Sequence, residues 1–536
     1  MPRGVPASFG FVGYADCGEE RATSRQHSVT TAVVEYGVGS KTWKSLSRRG
    51  GDQDRVVRTD RRGIQFSQQH SIVNSMPSTS SQHSGHTEPK PRQIKVAIVG
   101  AGISGLAVAN GLLKDPTGRF DVQVYERDTI AFDSERGGYQ LRISANGLHA
   151  LRTVSDRDLW DSLQDTWAGD EARAPAIVDP NFNLLLRLAD LKLYPPSRPV
   201  PRTGLRRALL QPLLSQKRVH FIHSLTHFDY LSEEQGGVRL HFERKQSQYA
   251  DILIAADGSY SRIHRQVGLN NKVKLENWTL IQSRAGIDRS VRERLPKSLI
   301  DSGSVLFLGD RHASGFASVY DPKADLGTGG TEMYTLFWSI LVPSVRGKQM
   351  LQSANDDPQK VLPYWLDHLR QDLGYEGALP LIMESATEHL RTGLLTSSVK
   401  PKTSWRNNDS RHGRVILLGE AVHPMTPGRG MGANQALTDA GKLVKMFHGT
   451  KFAESVPSDG ELATLVHQFD NEMYGRAFKM VKASESVTDL DLTTTSGKVL
   501  IKVMGVVLTV LGWGASALET IGLKERQDLD FTSYKG

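Results

Sequence analysis

The residues Gly100-x-Gly102-x-x-Gly105 have types and a spacing that could do chemistry. The first glycine permits a tight turn. The second lets backbone N–H groups approach an anion, and the third lets a helix pack closely on a strand. The ligand suited to such a loop is a pyrophosphate, seated at the positive end of the helix that follows. Glu126 stands 21 residues beyond Gly105, where a carboxylate can accept hydrogen bonds from the hydroxyls of an adenosine ribose. These residues alone leave NAD and FAD equally open.

A second group lies far downstream. Gly419-Glu420-Ala421-Val422-His423-Pro424 is followed by Gly430-Met431-Gly432-Ala433-Asn434 and by Asp439-Ala440. A carboxylate at a strand end can bind the polyol of a ribityl chain. A glycine-rich turn into a helix offers N–H groups and a positive dipole end. That combination suits the N1–C2=O edge of an isoalloxazine, where negative charge develops on reduction, and it favours FAD. The third group is Asp257-Gly258-Ser259-Tyr260-Ser261-Arg262-Ile263-His264-Arg265; by itself it reads as a turn ending a strand, with an Asp cap.

The elements that must position these groups follow from hydrophobic patterning. Order begins at Ile94, and Lys95–Val99 is the short apolar run of a buried parallel strand. A helix over Ile103–Leu113 and a strand over Asp121–Tyr125 complete a βαβ unit. The pattern predicts a helix over Leu205–Ser215 and strands at Val219–Ile222, Val238–Phe242, Asp251–Ala256 and Arg414–Leu418, with a long helix from Gly432. Between Leu275 and Leu395 short alternating segments predict an antiparallel sheet, with a helix at Val361–Leu373. The expected fold class is α/β: a Rossmann-type FAD-binding domain with an inserted antiparallel-sheet substrate domain and C-terminal helices. The spans are a disordered or non-native extension over 1–93, the FAD-binding domain over 94–275 and 410–450, the substrate domain over 276–409, and a helical region over 451–536.

Composition narrows the function classes. The chain has 536 residues, and 66 Lys and Arg against 58 Asp and Glu give a net charge of +8. Residues 1–93 hold 13 basic and 8 acidic residues, so the body carries only about +3 and nucleic acid is not an expected partner. The single cysteine, Cys17, excludes an internal disulfide and a Cys-based zinc or iron–sulfur site. No metal site is expected. Without a secretory signal pattern the expected compartment is the cytoplasm. Val503–Leu518 lacks charge, but its sixteen residues fall short of the ~20 that span a bilayer, so peripheral membrane contact is the alternative to burial.

Taken together, the three groups resemble those of the flavoprotein aromatic hydroxylases, the para-hydroxybenzoate-hydroxylase-like FAD monooxygenases, over roughly 94–450. The resemblance implies that Gly100, Gly102, Gly105 and Glu126 hold the ADP half of FAD. It places Arg202, in Arg-Thr-Gly-Leu, beside the flavin, and links Asp257 and Gly258 to both FAD and NADPH. Glu420 stands where the family has a ribityl-binding Asp; Pro424, Gly430, Gly432, Ala433 and Asn434 match the loop beside the ring. Two departures stand out. Glu420 is one methylene longer than Asp, and His264 replaces the usual Arg. Arg136 and Arg142, in a segment similar to the one after the family's second strand, are candidates for flavin or pyrophosphate contact or for structural ion pairs.

The reaction so implied is reduction of FAD by NADPH, formation of a C4a-hydroperoxide with O2, and oxygen transfer to an aromatic or polyketide-type small molecule. The alternative is an epoxidase of a prenylated or terpenoid substrate, with its apolar C-terminus on a membrane. A halogenase is disfavoured, since no Trp-x-Trp-x-Ile-Pro segment occurs. A silent nucleotide-binding regulator is the reading from another class. No catalytic acid or base is assigned; His312, Tyr320 and His389 lie in the expected substrate domain, and Phe316, Phe337 and Trp338 could wall a flat pocket.

Overall fold

The computed structural model describes residues 92–128, 140–167, 174–190, 197–232, 234–308, 314–320, 333–406, 409–452, 456–485, most of 494–509, and Phe531. The 1–91 extension, Arg136, His312 and residues 510–518 lie outside them, and so does the side chain of His389.

Ile94–Val99, buried except at Lys95, sits at the centre of a five-stranded parallel sheet. The strands run in the order Val415–Leu417, Ile252–Ala255, Ile94–Val99, Phe120–Tyr125, Val219–His220. Val96 aligns with Ile252 on one side and Val122 on the other. The chain winds outward from the first strand in one direction and then in the other, so the strand order reverses between Ile94–Val99 and Ile252–Ala255. Open α/β sheets bind ligands at such a reversal, beyond the carboxyl ends of the strands. Helices Ile103–Leu113 and Gly432–Gly449 pack closely: a Cβ added at Gly111 would lie 2.6 Å from Val444 Cγ2.

A second sheet has seven strands, in the order Glu388–Ser398, Lys272–Ile287, Tyr334–Pro343, Ser314–Tyr320, Ser304–Leu308, Ala176–Val178, Leu184–Arg187. All neighbours are antiparallel except Ser304–Leu308 with Ala176–Val178. Two boundaries of the expected division therefore change. Residues 176–187 belong to this sheet rather than to the nucleotide-binding half, and Lys272–Ile287 runs across the 275/276 boundary. Local patterning misses both, because strand membership depends on pairing with segments distant in sequence.

The sheet's two faces differ. Ala317, Val319, Leu336, Trp338 and Ile340 point into a core shared with Trp365, Leu369 and Ile382. Phe316, Ser318, Tyr320, Phe337 and Ser339 alternate with them and take the opposite face. The helix expected over Val361–Leu373 forms as Leu362–Asp367 and widens into a π turn at His368–Asp372. A separate three-stranded sheet comprises Leu225–Tyr230, Val238–Phe242 and Gln248–Ala250.

Candidate cofactor-binding site

A cleft of about 320 Å³ opens at the strand reversal. Val99, Gly100 and Gly102 line one side, and Ala256, Asp257 and Gly258 the other; Glu126, Arg202, Arg206 and Arg262 complete the wall. Gly100 has φ +106°, and a Cβ there would sit 2.4 Å from the Ala256 carbonyl oxygen. Gly105 does not reach the cleft. Its added Cβ would lie 2.1 Å from the Gly100 oxygen, so it is the close-approach point that lets the helix begin. Gly102 differs again, because an added Cβ meets only the Ala256 oxygen, at 3.9 Å.

Glu126 is buried, and its carboxylate braces the loop. Oε2 accepts the Ala101 N–H at 2.8 Å and Oε1 accepts the Asp128 N–H at 3.0 Å. Arg206 holds the same residue of the loop: its Nε donates to the Ala101 carbonyl at 2.7 Å, and a guanidinium nitrogen lies 3.5 Å from the Glu126 carboxylate. Burial lowers the Arg206 guanidinium to about 10, with Glu126 opposing the drop. Sequence reasoning missed Arg206, one turn beyond Arg202 on the helix Arg202–Ser215.

Asp257 caps the turn after the strand Ile252–Ala255, accepting the Arg262 N–H at 3.0 Å. Burial pushes its carboxyl above the usual range. Beside it lies Lys272, also missed, whose ammonium donates to the carbonyl of Ser259 at 2.8 Å. Burial lowers Lys272 to about 8, while the charges of Asp257 and Glu420 raise it. Glu420 is solvent-exposed, near enough to Gly432 that a Cβ there would be 4.0 Å from Oε1. The position of His264 explains one departure from the family pattern. Its Nε2–H donates to Asn271 Oδ1 at 2.7 Å, and Asn271 Nδ2 donates to the carbonyls of Val399 and Val422 at 2.9 and 2.8 Å. Burial drives His264 down to about 4. The ring is neutral and faces inward, joining three segments where an Arg would present charge.

The downstream group is held by a buried carboxylate. Asp439 Oδ2 accepts the Gly419 N–H at 2.8 Å and His423 Nε2 at 2.6 Å, while Oδ1 accepts Arg476 at 2.7 Å. Burial opposes ionisation of Asp439, but His423 and Arg476 outweigh it and hold the carboxyl below its usual range. Asn434 is consumed in structure: Oδ1 accepts the Ser144 N–H at 2.8 Å and Nδ2 donates to the Arg142 carbonyl at 2.8 Å. Pro424 is buried, and its carbonyl accepts from Ser398. Gly432 and Ala433 begin a helix that has no capping side chain. Of the expected site residues, Gly100, Gly102, Glu126, Arg202, Asp257 and Gly258 line the cleft; Gly105, Arg142, Glu420, Pro424, Gly430, Gly432, Ala433 and Asn434 do not. Trp338 is core, its indole N–H bound to the Ala386 carbonyl.

Two family models match the chain: an FAD binding domain over residues 379–453 and an NAD(P)-binding Rossmann-like domain over 98–166. The FAD-dependent monooxygenase tazP of Aspergillus terreus is 26% identical over 390 residues, 68% of this chain and 91% of the relative. The 3-amino-4-hydroxybenzoate 2-monooxygenase of Streptomyces cremeus is 28% identical, covering 66% and 78%. The chloroplastic zeaxanthin epoxidase of Capsicum annuum is 24% identical over 68% of this chain, which spans 50% of that longer protein. Among solved structures, an FAD-containing monooxygenase from Photorhabdus luminescens superposes with a TM-score of 0.59 at 21% identity, over 75% of this chain and 100% of the other. HpxO of Klebsiella pneumoniae, in complex with FAD and uric acid, superposes with a TM-score of 0.54 at 21% identity, over 78% and 97%.

Proposed function

We infer that this chain, which belongs to the FAD-dependent monooxygenases of the aromatic-hydroxylase family, uses NADPH and O2 to hydroxylate an aromatic or polyketide-type small molecule. The observation that carries the reading is the cleft at the strand reversal, where the Gly100–Gly102 loop faces the Asp257–Gly258 turn. The residues fit the cofactor, since Gly102 leaves its side of the cleft open where a side chain would intrude. Gly100, Gly102 and Glu126 would hold the ADP portion and Arg202 would reach towards the flavin, with Asp257 and Gly258 on the facing wall. The Gly419–Pro424 loop and the start of helix Gly432–Gly449 would meet the flavin end. When bound, FAD supplies electron transfer from the nicotinamide and activation of dioxygen.

The chain's own contribution is orientation and exclusion of water. Glu126 and Arg206, paired with each other, hold the N–H and the carbonyl of Ala101, so the pyrophosphate loop is set before the ligand arrives. Phe316 and Phe337, with ring centroids 6.2 Å apart, stand on the sheet face away from the core, with Ser318 and Ser339 between them. A flat ring could lie on such a face while hydroxyls bind its substituents. Purified protein is expected to be yellow and to oxidise NADPH with oxygen uptake that rises when substrate is added. Mass spectrometry of co-purifying small molecules would identify that substrate. A folded but colourless protein that does not take up FAD would overturn the reading and favour a silent binding module.

The epoxidase reading is favoured by one observation. Val499, Leu500, Val503, Val506 and Val507 are exposed, while Ile501 and Gly505 of the same segment pack on Ile177, Leu185 and Leu186. No helix among the described residues is long and apolar enough to cross a membrane.

A further inference from the structure

The three-stranded sheet carries a group of side chains that takes no part in the cleft. His227 and His241 are direct cross-strand partners on antiparallel strands. Their imidazoles stack with centroids 4.3 Å apart and planes within 1°. Asp229 lies two residues beyond His227 and so on the same face; its Oδ2 is 2.8 Å from His241 Nε2. One ligand atom from each of the three lies within 4.8 Å of the others. A β-bulge at Thr226, between the Leu225 and His227 pairings, sets this arrangement.

Hydrogen bonding decides which ring nitrogens are available. The Thr226 hydroxyl donates its single proton to the His241 carbonyl at 3.0 Å. Towards His227 Nδ1, also 3.0 Å away, it must therefore accept, which places the ring proton on Nδ1 and leaves the Nε2 lone pair bare. His241 Nδ1 is 3.0 Å from the Ser247 hydroxyl, a group that can accept as well as donate. Both rings thus have a hydroxyl behind them and an Nε2 in front, as metal-binding imidazoles do when an outer partner fixes the tautomer.

We propose that His227, His241 and Asp229 bind a divalent transition metal of the zinc type, through two imidazole nitrogens and one carboxylate oxygen. Water would complete the tetrahedron. On binding, the two parallel rings turn about their side-chain bonds until both Nε2 lone pairs meet at the ion, and His241 changes tautomer, so that Nε2 coordinates and Nδ1–H donates to Ser247 Oγ. Arg239 stands opposite Asp229 in the register, a cation close to the site that keeps the affinity moderate. The ion would clip two strands together beside the cleft, since the Leu225 carbonyl accepts from Arg262 at 2.7 Å and both residues line it. The amino-acid sequence suggests no metal site, because the histidines are not spaced as a ligand motif. Only strand register brings them together.

The test is calorimetric titration of the untagged, chelator-treated full chain with Zn2+, and titration with Co2+ followed by visible absorption. The expected result is one saturable equivalent per chain, with the intense visible bands of tetrahedral cobalt. His227→Gln and His241→Gln should each weaken binding at least about tenfold and remove those bands. Flavin content and far-UV circular dichroism should stay unchanged, which separates loss of the site from loss of the fold or of the cofactor. Absence of saturable binding in the parent, or equal binding in the His227→Gln/His241→Gln double variant, would overturn the proposal.

Discussion

Gly102 and Gly105 lie three residues apart, yet the structure asks different things of them. At Gly105 a methyl group would collide with the backbone oxygen of Gly100, whereas at Gly102 it would meet nothing closer than 3.9 Å. Gly105→Ala is therefore expected to lower stability by about 2 kcal/mol or more, measured by chemical denaturation. Gly102→Leu should leave the melting temperature of the apoprotein nearly unchanged and weaken FAD at least about tenfold, read from flavin absorbance after gel filtration. Normal FAD retention in Gly102→Leu would show the site to be misassigned. His264 supplies a pH test. Its folded value of about 4 lies below the ordinary 6.5, so between those values the unfolded chain binds more protons and stability falls on acidification. Asn can preserve neither the ring's reach nor its charge change, so His264→Asn should be less stable at pH 7 and lose less between pH 6.5 and 4. An identical pH slope in the two proteins would refute the buried neutral ring.

Helix Gly432–Gly449, helix Asp459–Glu485 and the Gly419–Pro424 loop meet at one carboxylate. Asp439 bonds to Gly419, His423 and Arg476. Asp439→Asn removes the charge but keeps the shape, leaving Arg476 and His423 facing a neutral amide that must also place its own N–H2. A loss of about 3 kcal/mol is expected in urea unfolding, along with weaker flavin retention, since the loop loses its anchor. A change below roughly 0.5 kcal/mol would mean that the network is not what positions the loop. The Gly430–Asn434 segment illustrates why element-level reading goes only so far. It reads from sequence as a ligand loop, but Asn434 spends both ends of its amide on Ser144 and Arg142, tying the helix to the strand Gln140–Ser144.

For the molecule as a whole, the exposed valines of 499–507 form an apolar surface. If that face meets a bilayer, the full chain should float with phosphatidylcholine–phosphatidylserine vesicles in a density gradient. Val503→Asp combined with Val507→Asp should return it to the bottom fraction, with NADPH oxidation preserved. A chain that stays at the bottom irrespective of the substitutions would remove the membrane-bound epoxidase from consideration. Phe316 and Phe337 stand on the sheet face opposite the core, and Trp338, alike in residue type, is buried in that core.

The sequence by itself determined the βαβ unit, the three motif segments and FAD as the cofactor class, because these depend on local properties. Glycines are dictated by backbone crowding within a few residues, and a parallel strand buried on both faces announces itself as an unbroken apolar run. The tertiary structure decided which residues meet. It brought Lys272 under the charges of Asp257 and Glu420, paired Arg206 with Glu126 at the glycine loop, and put 176–187 in the large sheet. It also turned His264 inward and set His227 against His241. Those outcomes rest on strand register and helix packing between segments far apart in the chain. Residue type and spacing do not encode them one position at a time.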